Sequence, residues 1–104
     1  MRKAISKLAR IHWLTSEEGG RKALPAGVGM PPYLPTAAFS EAEEHADTVW
    51  SLAIEKYSDE GNELTWIAMV TYLADAAPQE NLKLGNKFKL FEGPRLVATG
   101  EIIE

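Results

Sequence analysis

At 104 residues, with 45% apolar and 25% charged side chains, the chain has room for one folded domain and one core, and not for a core plus a large catalytic cleft. Having no cysteine excludes a disulfide scaffold, thiolate zinc sites and cysteine catalysis, and a net charge of −4 argues against a surface that is basic all over. No apolar run approaches the roughly 18 residues of a membrane span, and no signal-peptide core opens the chain. The expectation is a single domain over residues 1–104, soluble and cytoplasmic, with no membrane partner.

The charge is unevenly spread. Arg2, Lys3, Lys7, Arg10, Arg21 and Lys22 outnumber Glu17 and Glu18 at the start. Residues 41–63 carry Glu41, Glu43, Glu44, Asp47, Glu55, Asp59, Glu60 and Glu63 against Lys56 alone. Such blocks either face each other across one fold or face two partners.

Residues 8–15 alternate, with Ala9, Ile11 and Trp13 on one face and Arg10 and His12 on the other, which predicts a half-buried strand. The Gly19-Gly20 pair then predicts a turn over residues 16–20. Pro25, Gly27, Gly29, Pro31, Pro32 and Pro35 exclude a helix and predict a long loop leading to a short edge strand near residues 33–39.

Ser40-x-x-Glu43 fits a capping box and predicts a helical turn over residues 40–45. Residues 42–57 fit helical spacing through Ala42, Ala46, Val49, Trp50, Ala53 and Tyr57. They equally fit a strand with Trp50, Leu52 and Ile54 inward. A turn is expected at residues 58–62. The β-formers of residues 64–73 then predict a strand buried on both faces, and Pro78 closes the loop that follows. The alternation Lys87-Phe88-Lys89-Leu90-Phe91, the turn at residues 92–95 and the return through residues 96–103 predict a β-hairpin. Short strands separated by turns predict an all-β small barrel or sandwich.

Chemistry-bearing patterns are sparse. No phosphate-cradling G-x-x-x-x-G-K-[ST] run is present. With two histidines and no cysteine, a metal site would need carboxylates to complete it. The adjacent pairs Glu17/Glu18 and Glu43/Glu44 read as solvated side chains rather than divided acid and base roles. No serine sits in a nucleophile elbow. No catalytic residue, metal ligand or cofactor is expected, and Trp13, Trp50 and Trp66 read as core.

Two motifs carry a resemblance. Leu14-Thr15-Ser16-Glu17-Glu18-Gly19-Gly20-Arg21, followed by Pro25, Gly29 and Pro31, resembles the opening of the C-terminal β-barrel domain of the elongation factor Tu family. The closing residues Leu84-Gly85, Phe88, Glu92-Gly93, Arg95-Leu96-Val97 and Gly100 resemble that domain's G-x-x-F-x-[IL]-R-E-G-G-[RK]-T-V-G-x-G. The resemblance implies an all-β, six-stranded antiparallel barrel and tips residues 49–57 toward strand. It implies no GTP binding, because only the third domain of that family is matched. In that family the barrel packs on the GTPase domain, touches the exchange factor and contacts aminoacyl-tRNA, partly through the turn matching Glu92-Gly93. This sequence departs at Pro94, at Met30-Pro31-Pro32 and at Thr36-Ala37-Ala38-Phe39, where the family carries glycine, R-P-Q and R-T-T-D.

The expected function is therefore a non-enzymatic binding module whose partner is a protein. The alternative is a tRNA-binding module using the basic first strand. Candidate contact residues are Arg10, His12, Arg21, Lys22, Glu92, Gly93 and Arg95. The Gly-Gly turn requires one glycine at positive φ, and fixes Arg21 toward Glu17, Glu18 or a carboxylate of the acidic middle.

Overall fold

A computed structural model describes residues 5–25 and 28–104. Six strands form the fold: β1 (Ser6–Trp13), β2 (Thr36–Ala38), β3 (Trp50–Glu60), β4 (Asn62–Tyr72), β5 (Lys87–Glu92) and β6 (Arg95–Ile102). They close in the order β1-β4-β3-β2-β5-β6, with every pairing antiparallel. The only other regular elements among the described residues are a four-residue helix, α1 (Glu41–Glu44), and a 3-10 turn at Gln79–Asn81. The all-β barrel is thus as expected from the sequence.

Alternation builds the wall. In β1, Ala9, Ile11 and Trp13 are fully buried while Arg10 and His12 face out. Leu52 and Ile54 of β3, Trp66, Ala68 and Val70 of β4, Leu90 of β5 and Ile102 of β6 meet them inside. A six-stranded ring is narrow, and side chains fill it. Two clefts among the described residues lie outside the wall.

Three expectations need correction. β2 is not an edge strand, because it pairs with β3 on one side and β5 on the other. Ring closure removes that edge, and Pro35 is tolerated because it precedes the strand and only its carbonyl is needed, accepting from Leu52 N. β4 is not buried on both faces: Trp66, Ala68, Val70 and Tyr72 face in, while Thr65, Ile67, Met69 and Thr71 are half-buried on the outside. Ile67 and Met69 stand opposite Arg10 and Leu8 of β1, so apolar outer residues mimic a doubly buried strand in the sequence. The turn expected at residues 58–62 narrows to Gly61, at φ +82°. Ser58, Asp59 and Glu60 continue β3 through a bulge after Lys56.

The ambiguous middle divides between its two readings. Ser40 caps α1, its Oγ accepting from Glu43 N at 3.2 Å. The Glu43 carboxylate reaches back to Phe39 N at 2.9 Å, one residue earlier than the standard capping box. The helix ends at His45, and the strand begins at Trp50.

Candidate functional site

The two turns that carry the sequence motifs meet at one barrel mouth. Thr15 and Glu18 clasp each other: Glu18 N donates to Thr15 Oγ1 at 3.2 Å, and Thr15 N donates to the Glu18 carboxylate at 2.8 Å. These bonds hold the Glu18 carboxyl below its ordinary pKa, the backbone bond from Thr15 most of all. Gly20 N closes the turn on Thr15 O, and Gly19 sits at φ +94°, as the turn requires.

Arg21 leaves this turn in a fixed direction. Its Nη1 pairs with Glu92 Oε2, its Nε donates to Ala23 O at 2.8 Å, and its guanidinium lies 5.0 Å from the centre of the Tyr33 ring. Tyr33 O–H donates to the same Glu92 oxygen. The expected carboxylates, Glu17, Glu18 or one from the acidic middle, are not the partner. The hairpin turn supplies it from 71 residues away in sequence. Below this clamp Tyr33 packs on Trp13, and Trp13 packs edge-on against Trp66 with ring centres 4.9 Å apart.

Arg21 therefore acts as a clamp over the mouth. A half-exposed ion pair is worth little alone, but here the guanidinium also holds a carbonyl and covers an aromatic ring. Arg21→Ala is expected to lower stability by about 1–2 kcal/mol. Lys22→Ala, at an exposed neighbour, should stay within about 0.5 kcal/mol of the parent. Paired thermal melts check both.

The remaining candidates form two groups. Gly93, at φ +60°, and exposed Arg95, opposite Glu92 in the register, belong to the same mouth. Arg10 and His12 stand on the outer face of β1, where Arg10 pairs with Glu60 and His12 Nδ1 lies 3.4 Å from Thr65 Oγ1. Arg2 and Lys3 lie outside the described residues.

Two clefts flank α1. The larger, about 550 Å³, crosses the outer face of β1, β6 and β5 and ends at α1. It brings Arg10 and His12 together with Lys87, Lys89 and Thr99, across from Glu41 and Glu44. The smaller, about 340 Å³, lies between α1 and the β5–β6 turn. Thr36, Ala37, Ala38, Val49, Phe91, Gly93 and Pro94 line it, with Glu43, Glu44 and His45 on its α1 side. Lys89 Nζ holds the Glu44 carboxylate at 3.1 Å.

Glu43 also fixes α1 to the 3-10 turn at Gln79–Asn81. Asn81 Nδ2 donates to the Glu43 carboxylate at 2.9 Å and to Tyr72 Oη at 3.1 Å. Burial chiefly, with the negative Glu43 and Glu80 nearby, pushes the Tyr72 hydroxyl up to about 12 despite the bond from Asn81. Above the ordinary value of 10 the unfolded chain loses this proton and the folded chain keeps it. Stability is then complete below pH 10 and falls by about 2–3 kcal/mol as the pH rises to about 12. Tyr72→Phe should remove that component of the decline, read by urea unfolding at pH 9 and pH 11.5.

Sequence reasoning missed the Thr15–Glu18 clasp, although Thr-x-x-Glu is the capping-box spacing that identified α1. It also missed Tyr33, Lys87 and Lys89, whose side chains carry no local signal of convergence. The described residues hold no group of three or more His, Asp or Glu placed to bind a metal ion, and no helix among them is long and apolar enough to cross a membrane. No family model matches the sequence, and no curated protein matches it.

Proposed function

We propose that the chain is a non-enzymatic binding module, akin to the third domain of elongation factor Tu, and that its partner is a protein. The observation carrying this reading is the contact between Arg21 and Glu92. The two motifs that resemble the family sit at opposite ends of the sequence, and the fold joins them through these two side chains. A barrel filled by its own side chains leaves recognition to the outer surface.

Charge pairing favours protein over RNA. RNA affinity rests largely on cations free to neutralise phosphates. Arg10 and Arg21, two of the cations the RNA reading needs, are paired with Glu60 and Glu92. The larger cleft adds Lys87 and Lys89 but sets Glu41, Glu44 and Glu101 among them.

A pull-down from the native cells at low and moderate salt tests the proposal. A protein partner retained at moderate salt is the expected result; none at either salt overturns it. A tRNA gel shift runs beside it. Steeply salt-dependent tRNA binding that is lost in Arg21→Ala/Arg95→Ala would replace this reading with the RNA one.

A further inference from the structure

We propose that the smaller cleft docks an extended segment of a partner protein in which apolar and basic side chains alternate. The inference rests on the binding-module reading and names the surface and the partner chemistry.

The walls of this cleft are apolar: Ala37, Val49, Phe91 and Pro94 line it. Val49, 56% exposed, adds accessible apolar surface beside Phe91 and Pro94. The α1 side carries Glu43 and Glu44, and the lining includes no lysine or arginine. Among the described residues Glu43 is held by neutral donors, Phe39 N and Asn81 Nδ2, and no cation pairs with it. Glu44 is partly offset by Lys89. Glu41 and Asp47 are exposed on the same excursion of the chain. An occupant must therefore offer apolar surface to the walls and positive charge to the α1 side.

The same charges disfavour a polyanion, whose phosphates would face the Glu43 carboxylate on entry. Rim charges of this kind steer association and set orientation, while the apolar floor supplies contact area. The floor is built on β2, β5 and the β5–β6 turn, and Glu43 ties α1 to Asn81, so the cleft exists before any partner arrives. Preformed clefts avoid much of the ordering cost of binding.

The test uses the full chain and two fluorescein-labelled ten-residue peptides, one alternating leucine with lysine and one alternating leucine with glutamate. Anisotropy gives affinity, and amide chemical shifts locate the contact. The leucine–lysine peptide is expected to bind at least tenfold more tightly, with shifts at Thr36, Val49, Phe91 and Gly93. Val49→Arg, at an exposed position, is expected to weaken it at least tenfold without moving the melting temperature. Equal affinity for both peptides, shifts confined to the β3–β4 hairpin tip, or an unaffected Val49→Arg variant each overturn the proposal. So does tRNA that shifts the same four amides. A protein partner captured equally by the parent chain and by Val49→Arg overturns the cleft assignment and leaves the binding-module reading standing.

Discussion

Trp13→Ala is expected to remove about 3–5 kcal/mol of stability, a large share of the total of about 5–15 kcal/mol typical of a domain. Trp13 is fully buried at the end of β1. Its ring contacts Trp66 on the neighbouring strand β4 and Tyr33 under the Arg21 clamp, so its loss opens a cavity shared by β1, β4 and the segment that carries Tyr33. The strands around that cavity are fixed by pairing to β4 and β6, which limits collapse. Trp13→Phe keeps most of the ring contacts. It also removes a buried indole N–H that has no hydrogen-bond partner among the described residues, so part of the lost packing is offset and about 1 kcal/mol is expected. Urea unfolding followed by circular dichroism separates the two variants. Equal midpoints for Trp13→Ala and the parent would contradict the packing described.

The readability of this fold from sequence follows from how local each signal is. β1 was legible because Ala9, Ile11 and Trp13 alternate with Arg10 and His12, and a strand's two faces need nothing beyond that period. The β5–β6 hairpin was legible because Gly93 marks its turn and Phe88 and Leu90 its inner face. β4 misled because Ile67 and Met69 are apolar on the outer face, and composition cannot tell a neighbouring strand's side chain from a core. Residues 42–57 stayed open because three-to-four-residue and two-residue spacings coexist there, and tertiary pairing of β3 with β4 decides between them. The site was the least legible part. A positive φ at one glycine of the Gly19-Gly20 pair is a local property that the sequence predicts, and Gly19 takes it, whereas the choice of Glu92 by Arg21 depends on closing the ring.

Gly100→Ala is expected to cost about 1–3 kcal/mol, the usual range for forcing extra volume into a packed core. Its φ lies outside the left-handed region, so the penalty is one of space rather than of backbone strain. A Cβ at this position would strike the Phe88 ring, coming within 2.6 Å of Cε2 and closer still to Cζ. That ring is almost fully buried and packs with its centre 4.9 Å from that of Phe39, so it cannot swing aside without disturbing Phe39. At about 4–8 °C per kcal/mol for a domain near this size, a fall in melting temperature of about 10 °C is expected. Because the clash is with a side chain, shortening that side chain should relieve it: Gly100→Ala/Phe88→Leu is expected to lie closer to Phe88→Leu alone than additivity allows. Gly20→Ala is the contrasting case. Its Cβ would come within 2.8 Å of the Leu14 carbonyl carbon and closer to the oxygen, so the obstacle is backbone and no side-chain substitution relieves it. Gly20→Ala should also loosen the turn that aims Arg21, since Gly20 N closes that turn on Thr15 O. A double-mutant cycle between Gly20→Ala and Arg21→Ala should then show coupling, because each disrupts the same clamp. Strict additivity of the two would mean that the turn and the Arg21–Glu92 contact are independent, contrary to the geometry of the mouth.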